Sequence, residues 1–244
     1  MKISIITVSY NAQTTIAQTI ESVLRQTFAP FEYIIQDGGS TDDTCKIAES
    51  YRDAFEAAGI AYHIVSGPDA GIYDAMNKGI EKATGDLIGL INADDWYEPV
   101  ALARVNDAMQ EGAFDLIFGD LRMWRDETHS FIKHARNRKY ATSRDWNHPT
   151  TFITKEMYDR YRYRNETIHD DYDLILRMKK DGVRICVIHE VLANFRMNGV
   201  SHERNLRAAM KRAKIKYGIY RRNGYSPFYA IECYGVELAK WIIG

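Results

Sequence analysis

Two aspartates stand side by side in the segment "LINADDWYEP" (residues 90–99), where an apolar run gives way to polar residues. Asp94 and Asp95 repel each other when both are ionised, and a divalent cation would relieve that repulsion. Carboxylate oxygens suit Mg²⁺ and Mn²⁺, which bridge readily to phosphate oxygens. The pair therefore predicts a metal site for a phosphate-bearing ligand. The alternative is a solvated loop or a helix-capping pair.

A second acidic pair, Asp170 and Asp171, begins the segment "DDYDLILRMKKDG", which has the apolar spacing of a helix. Either carboxylate could take a proton from an attacking hydroxyl group, which is the work of a general base. Asp173 lies within the same helix, and we expect it to be a structural partner of the pair.

The elements that must position these residues alternate between strand and helix over the first half of the chain. The runs "ISIITV", "YIIQ", "YHIV", "LIGLI" and "DLIFG" predict strands, and apolar residues at helical spacing separate them. This alternation predicts an α/β fold with a mainly parallel sheet and flanking helices. Ligands of such sheets bind beyond the carboxyl ends of the strands, where "SYN", "DGGSTDD", "GPDAG" and "NADD" all fall.

The second half is less regular. "LRMW" and "SFIKHA" suggest a hairpin, and "VRICVI" and "VLANFRM" suggest two short strands. From about Glu203 onward we expect two helical segments, broken near "NGYSP". The predicted organisation is a main domain over residues 1–202 and a C-terminal helical extension over residues 203–244.

Bulk composition is that of an ordinary globular protein. The 244 residues are 45% hydrophobic and 27% charged, and the formal net charge is -1. This near-neutral balance gives no general attraction to nucleic acid. The three cysteines are far apart and in no ligand spacing, which favours a reducing compartment. No signal peptide or membrane-spanning run is evident, so we expect a cytoplasmic protein.

Two common nucleotide-binding signatures are missing. The dinucleotide fingerprint G-x-G-x-x-G would follow the first strand, where this chain has "VSYNAQTT", and no phosphate loop with its Gly-Lys pair occurs. A phosphate-bearing ligand is therefore expected to be held through a metal.

The ordered motifs "TVSYN", "DGGSTDDT", "GIYDAMNKGI", "GDLIGLINADDW", "DDYDLILRM" and "FRMNGVS" resemble those of family 2 glycosyltransferases. The resemblance covers roughly residues 1 to 202. It implies a GT-A (Rossmann-like) fold, with a mixed, mainly parallel sheet. It also implies an inverting enzyme that uses a nucleotide-sugar donor, with uracil as the expected base and thymine or guanine as alternatives.

The resemblance also implies roles for particular residues. The family's nucleotide-sugar pocket maps onto three loops and the metal-binding element. The corresponding residues are Thr7, Ser9, Tyr10, Asn11, Asp37, Gly38, Asp69, Asp74, Asn77, Lys78, Asn92, Ala93 and Asp94. Asp37 is expected to contact the base of the nucleotide. Asp171 directly precedes an aromatic residue, as the family's general base does, with Asp170 beside it.

The metal-binding element departs from the family pattern. Asn92 stands where the first carboxylate of D-x-D is usual, so Asp94 is the expected metal ligand, with Asp95 in support. His202 follows "NGVS" and is a candidate to complete the metal shell. Ala70 replaces a basic or amide residue of many relatives, so phosphate contacts are expected from Lys78, Arg196 or the C-terminal segment instead.

The expected reaction is a single displacement that moves a sugar onto a hydroxyl of a glycan or lipid-linked glycan. A divalent metal, Mn²⁺ or Mg²⁺, would neutralise the diphosphate leaving group, and one carboxylate would act as the base. Whether the helix N-terminus or the charge of Asp170 dominates the pKa of Asp171 is left open. Two alternatives are a nucleotidyltransferase that makes sugar nucleotides and a non-catalytic nucleotide-sugar-binding module.

Eight Lys and Arg residues lie between Arg204 and Arg222, among apolar residues at helical spacing. Basic amphipathic helices suit an anionic membrane surface, so peripheral contact with the inner face of the cell membrane is one expectation. The alternative is a solvated helix that packs on the catalytic body.

Overall fold

Four parallel strands form the first half of the sheet. The computed structural model describes residues 1–197 and 206–243. The strands are β1 (Ile3–Ser9), β2 (Glu32–Asp37), β3 (Ala61–Ser66) and β4 (Leu87–Asn92), in the spatial order β3-β2-β1-β4. The helices between them are α1 (Ile16–Leu24), α2 (Thr44–Glu49), α3 (Arg52–Ala57) and α4 (Ile72–Lys82).

The segment after "DGGSTDD" forms two helices, α2 and α3, where the sequence suggested one. The break falls at Ser50 and Tyr51. The Ser50 hydroxyl donates to the carbonyl of Ile47, 2.7 Å away. Serine side chains that bond to a nearby backbone carbonyl compete with regular helix, which accounts for a break at this position.

The second half adds antiparallel strands to the parallel set. Its elements are β5 (Trp96–Tyr97), α5 (Ala101–Glu111), β6 (Leu116–Trp124), β7 (Ser130–Lys133), a short 3₁₀ helix (His148–Thr150), β8 (Phe152–Thr154), α6 (Lys155–Arg160), α7 (Asp170–Lys180), β9 (Ile185–Arg196), α8 (Leu206–Arg222) and α9 (Tyr229–Ile243). Across the described residues the strands form one nine-stranded sheet. β8 runs antiparallel between β4 and β6, β9 runs parallel to β6, and β5 is antiparallel to β9. The predicted mixed, mainly parallel α/β fold is confirmed.

Some predicted strands are longer in the structure. "DLIFG" and "LRMW" belong to one strand, β6, which forms the expected hairpin with β7. "VRICVI" and "VLANFRM" also form one strand, β9, whose pairing with β6 is irregular around Gly119 and Asp120. A bulge of this kind lets one strand continue past a local kink.

The sheet is covered on both faces, so β1 is buried along its whole length and β4 is buried except at its last residue. In β1, Ile5 packs in the hydrophobic cluster that includes α1, α3 and α5, and Ile6 packs in the cluster that includes α4 and α7. Successive residues of a strand point to opposite faces of the sheet, which explains this division.

The two C-terminal helices belong to the second of these clusters. Tyr220 of α8 and Tyr229 and Cys233 of α9 are buried in it. The break between the helices falls at "NGYSP", as predicted, with Gly224 at a φ of 71°. Within residues 1–197 and 206–243, none of the helices combines the length and the apolar character needed to cross a bilayer.

Candidate active site

The carboxyl ends of the parallel strands bring four polar segments to one edge of the sheet. Strand register places Ser9 of β1 beside Asp37 of β2, and Asp37 beside Ser66 of β3. Asn92, the last residue of β4, pairs with Val8. Residues that are far apart in the sequence therefore meet here.

Asp37 is buried, and both of its carboxylate oxygens accept hydrogen bonds. The hydroxyl groups of Ser9 and Ser66 donate over 3.0 and 2.7 Å. The amides of Gly39 and Ser40 and the Ser40 hydroxyl also donate. Burial raises the pKa of Asp37, but bonds from Ser40 and Ser66 outweigh it and bring the pKa to about 2. Asp37 therefore shapes the loop after β2. Its contact with a nucleotide base stays a prediction, and one of these donors would have to move aside for it.

Thr7 is not placed at this edge. Its side chain is fully buried, and its hydroxyl lies 2.9 Å from the Tyr33 hydroxyl in the protein interior. β1 continues for two residues beyond Thr7 and ends at Ser9. The structure thus corrects the assignment of the Thr7 side chain from a nucleotide contact to a packing contact.

Asn11 joins the loops that follow β1 and β2. Its backbone has a φ of 47°, in the left-handed region that asparagine tolerates better than most residues. The backbone N–H of Asn11 donates to the Ser40 hydroxyl over 2.8 Å. The side-chain oxygen of Asn11 accepts from the backbone N–H of Thr41 over 2.9 Å. The side chain therefore holds the two loops in register.

Tyr10, Gly38 and Asp69 lie together beside this loop pair. A Cβ atom on Gly38 would lie 2.4 Å from a carboxylate oxygen of Asp69 and 3.5 Å from the Tyr10 ring. The Tyr10 side chain is 65% exposed. Glycine at position 38 thus lets an acid and an exposed aromatic ring approach each other, which suits a flat ligand such as a nucleotide base.

At the start of α4, three predicted pocket residues hold the loop that precedes it. Asp74 accepts from the amide of Ala70 and pairs with Lys78 over 2.8 Å. Lys78 also donates to the carbonyl of Pro68. The amide group of Asn77 bonds to both the carbonyl and the N–H of Tyr163. In this structure Lys78 is paired with an acid, and Asn77 bonds to the protein backbone.

The segment after α6 packs against this loop and so delivers the start of α7 to the site. The side-chain amide of Asn165 donates to the carbonyl of Ala70, and the Tyr73 hydroxyl donates to the carbonyl of Ile168 over 3.2 Å. These contacts join residues that are 95 positions apart. They bring the second acidic pair to the edge where the strands end.

The first acidic pair lies just after β4. Asp95 is fully buried, and one of its oxygens accepts from the amide of Arg196. The other oxygen of Asp95 and the side-chain oxygen of Asn92 are buried without a hydrogen-bond partner. Burial, and then the charge of Asp94, raise the pKa of Asp95, and burial also raises the pKa of Asp94. Ala93, between Asn92 and Asp94, is small and buried.

The guanidinium of Arg196 does not neutralise this pair directly. It lies 4.6 Å from the centre of the Trp96 ring, and it donates to the backbone carbonyl of Asp94 and to the side chain of Gln18. The charge of Arg196 therefore offsets only part of the rise in the pKa of Asp94 and Asp95, and neither acid forms an ion pair within the described residues.

The donor set fits a hard divalent cation, because two carboxylates and an amide oxygen lie together and two of these buried oxygens have no partner. Across the described residues, no group of three or more His, Cys, Asp and Glu side chains is arranged around a common point. His202, the remaining predicted ligand, lies outside the described residues.

The two carboxylates of the second acidic pair differ in the number of hydrogen bonds that they accept. Asp170 is fully buried and accepts from the amides of Glu166 and Thr167 and from the Thr167 hydroxyl over 2.7 Å. Burial raises the pKa of Asp170, but these bonds and the charge of Arg222 bring it below its usual value. Asp170 therefore holds the turn before α7, and we place it outside the proton-transfer step.

Asp171 keeps acceptor capacity that Asp170 lacks. It is partly buried, and one oxygen accepts from the amide of Tyr172 over 2.7 Å. His148 and Tyr73 lie close enough for the charge of Asp171 to raise the pKa of each. Burial is the larger cause in both, and its net effect is to keep His148 neutral by lowering its pKa. The Nε2 atom of His148 is buried without a hydrogen-bond partner.

A cluster of charges behind the second pair was not predicted. Arg222, the last residue of α8, contacts three carboxylates, with distances of 2.6 Å to Glu166, 3.5 Å to Asp170 and 2.9 Å to Asp173. Asp173 is fully buried and also pairs with Arg177 over 3.0 Å. The expected structural role of Asp173 is confirmed. Nothing in the sequence near Asp170 points to Arg222, because about fifty residues separate them.

The family model described as "Glycosyl transferase family 2" matches residues 4–187. The chain belongs to this family. The predicted resemblance is thereby confirmed.

Relatives within the family differ in how much of the chain they match. A PGL/p-HBAD biosynthesis glycosyltransferase of Mycobacterium tuberculosis is 38% identical over 122 residues, which is 49% of this chain and 46% of the relative. The chain thus spans about half the length of the mycobacterial relatives it matches. TuaG of Bacillus subtilis, whose name assigns it to teichuronic acid biosynthesis as a glycosyltransferase, is 28% identical over 227 residues, or 90% of this chain and 87% of TuaG.

Solved structures of glycosyltransferases share the fold. Staphylococcus aureus TarS (residues 1–349) in complex with UDP-GlcNAc superposes with a TM-score of 0.69 at 16% identity, covering 98% of this chain and 72% of TarS. The mannosyltransferase PcManGT of Pyrobaculum calidifontis, in complex with GDP-Man and Mn²⁺, gives a TM-score of 0.68 at 15% identity, covering 100% and 75%. At these identities the likeness concerns the GT-A fold alone.

Proposed function

We propose that this family 2 member is an inverting glycosyltransferase that moves a sugar from a nucleotide diphosphate, with UDP as the expected nucleotide, to a hydroxyl of a glycan or lipid-linked glycan. One observation carries the proposal. One edge of the sheet carries two acids without an ion-pair partner in the described part of the chain, Asp94 and Asp95. The same edge carries Asp171, whose carboxylate can accept a further hydrogen bond. An enzyme of this class needs both, one for the leaving group and one for the nucleophile.

The donor would lie across the strand ends. The exposed Tyr10 ring and the loop around Gly38 offer a surface for the base, and the oxygens of Asn92, Asp94 and Asp95 would hold a divalent metal. When bound, such a metal supplies positive charge beside the diphosphate leaving group. The nucleotides bound by TarS and the Mn²⁺ bound by PcManGT support both assignments by fold analogy.

Asp171 would take the proton of the acceptor hydroxyl as its oxygen attacks the anomeric carbon. The bond from that carbon to the diphosphate oxygen breaks in the same step, so the configuration inverts. The hydrogen bonds that hold Asp170 and the segment before α7 fix the position of Asp171. His148, which burial keeps neutral beside Asp171, would line the acceptor side of the site.

We further propose a cytoplasmic protein that works at the inner face of the cell membrane through its C-terminal helices. Two relatives are named as glycosyltransferases of PGL/p-HBAD and teichuronic acid biosynthesis. These names support a glycan or lipid-linked glycan as the acceptor. The extension over residues 203–244 would then bring the enzyme close to its acceptor.

Incubation with a panel of nucleotide sugars, Mn²⁺ and candidate acceptors tests the proposal. We expect nucleoside diphosphate release that depends on the acceptor, and a product of inverted anomeric configuration by NMR. Tight donor binding without turnover for any acceptor would favour a non-catalytic module. Pyrophosphate release from a nucleoside triphosphate and a sugar phosphate would instead identify a nucleotidyltransferase.

A further inference from the structure

Several basic residues that were expected to face a membrane instead form ion pairs or hydrogen bonds within the protein. Arg212 and Lys216 of α8 both pair with the buried Glu237 of α9, each over 2.8 Å. Arg222 is bound by three acids, as described above. Arg221 donates to the carbonyl of Tyr225. The basic face of α8 is therefore smaller than its sequence suggests, and a membrane surface must be sought elsewhere.

A basic cavity lies at the turn between α8 and α9. It has a volume of about 350 Å³ and is lined by Lys139, Lys179, Lys180, Gly224 and Tyr225. Three of its five lining residues are lysines, and none is acidic. We call it the lysine cavity.

Backbone carbonyls anchor two lysines of this cavity, and the charge of Asp145 acts on Lys179. Lys179 donates to the carbonyl of Arg138 over 2.7 Å, and Lys180 donates to the carbonyl of Asn223 over 2.6 Å. An ammonium group has three N–H donors, so each can make further bonds. Burial lowers the pKa of Lys179, which the charge of an anion in the cavity would counteract. The site is therefore suited to a phosphate group.

Two large apolar side chains stand exposed beside the lysine cavity. Phe228, three residues after Tyr225, is 76% exposed, and Ile231, at the start of α9, is 75% exposed. Leu238 and Trp241 continue along α9, also at least 40% exposed. Contiguous exposed apolar residues of this size mark a surface that contacts a partner or a membrane.

We propose that the α8–α9 turn docks on an anionic phospholipid bilayer, with a lipid phosphate in the lysine cavity and with Phe228 and Ile231 in the acyl-chain boundary. The inference deepens the proposed membrane location and does not depend on glycosyl transfer. The three lysines that line the cavity complement an anionic surface, in a chain whose formal net charge is -1.

Charge also argues for a bilayer over a second copy of this chain. A two-fold dimer brings the same patch of both subunits together, so the lysine cavities would meet each other or lie close. Like charges that face each other are unfavourable. A bilayer surface offers phosphate and hydrocarbon at adjacent depths, which is what the cavity and the two apolar side chains require.

Flotation of the full chain with two vesicle types tests the proposal. One type is phosphatidylcholine alone, and the other is phosphatidylcholine with phosphatidylglycerol. We expect binding to the second type at low salt and release at high salt. The double variant Lys139→Gln/Lys180→Gln should bind more weakly by on the order of tenfold or more. Phe228→Ser/Ile231→Ser should bind more weakly by at least about tenfold.

Matched control variants distinguish binding through this surface from nonspecific binding to vesicles. Lys211→Gln/Lys214→Gln removes two exposed charges of α8, and Phe131→Ser/Ile132→Ser removes two exposed apolar residues of β7. Both should bind vesicles more tightly than the matched test variant. Thermal unfolding shows whether every variant is folded, and nucleoside diphosphate release with a soluble acceptor should be unchanged in all of them.

Three results would overturn the proposal. One is equal binding to both vesicle types, or equal losses in test and control variants. The second is binding of inorganic phosphate in the lysine cavity, seen by NMR, without binding to vesicles. The third is a concentration-dependent dimer that Phe228→Ser/Ile231→Ser abolishes while no vesicles are bound, which would assign the apolar face to self-association.

Discussion

Two pairs of adjacent aspartates, Asp94–Asp95 and Asp170–Asp171, carry the proposed chemistry, and their surroundings differ. In each pair one carboxylate is fully buried, Asp95 in the first and Asp170 in the second. Burial raises the pKa of Asp95, and the charge of Asp94 raises it further, while one oxygen of Asp95 has no hydrogen-bond partner. The pKa of Asp170 is lowered, since backbone amides and Thr167 bond to both of its oxygens.

The nearest arginines explain part of the difference. Arg222 points its guanidinium at the carboxylates behind the second pair, whereas the guanidinium of Arg196 stacks on Trp96 beside the first pair. The second pair is therefore balanced by the protein itself. The first pair is left short of positive charge, which is the condition under which a site binds an added cation.

The largest effect should separate the two members of the second pair. Asp171→Asn keeps the size of the side chain but removes the proton acceptor, so turnover should fall by roughly 10²–10⁴-fold while donor binding persists. Steady-state kinetics with calorimetry of nucleoside diphosphate binding measures both. The matched variant Asp170→Asn should mainly lower the free energy of unfolding, by about 2 kcal/mol, because buried amide donors lose an acceptor. If Asp170→Asn abolished transfer in a folded protein and Asp171→Asn did not, the two roles would be reversed.

The next effect concerns the cation that balances the second pair. Arg222→Gln leaves Asp170 and Asp173 with less positive charge, so the free energy of unfolding should fall by roughly 2 kcal/mol. Turnover should fall too, with little change in donor affinity. Arg221→Gln is the neighbouring control, because the Arg221 guanidinium donates to the backbone carbonyl of Tyr225. Denaturant unfolding compares the two, and equal stability would remove Arg222 from its positioning role.

The smallest effect should come from the first pair. Asp94→Asn should weaken nucleoside diphosphate binding in the presence of Mn²⁺ by about tenfold, or ~1.4 kcal/mol. Without metal the variant and the unaltered protein should bind alike. Calorimetry with and without Mn²⁺ gives both values. An affinity that Asp94→Asn leaves unchanged in Mn²⁺ would contradict a metal role for the first pair.

The sequence predicted the parallel half of the fold because long apolar runs and helical spacing are local signals. β5 and β8 were not predicted, since strands of two and three residues carry no recognisable period. The joining of two predicted strands into β9 depends on its partner β6, which the local pattern does not contain. Local signals therefore located the strand ends that build the site.

Within the site, residue types were easier to predict than their partners. Both acidic pairs and the loops around them could be selected from the sequence. That Asn77 bonds to Tyr163 and Lys78 to Asp74 depends on which segments fold together. Thr7 was assigned to the site from the family resemblance, although it lies inside the predicted strand "ISIITV", and its side chain is buried in the structure.

The contacts of Arg222 also bear on the order in which the protein can mature on the ribosome. The strands that form the donor edge, together with Asp94 and Asp95, are complete by residue 95, and chains generally begin to fold from the N-terminus during synthesis. The support for Asp170 and Asp173 comes from a residue near the other end of the chain. We therefore expect the candidate metal-binding pair to leave the ribosome well before the arginine that supports the candidate general base.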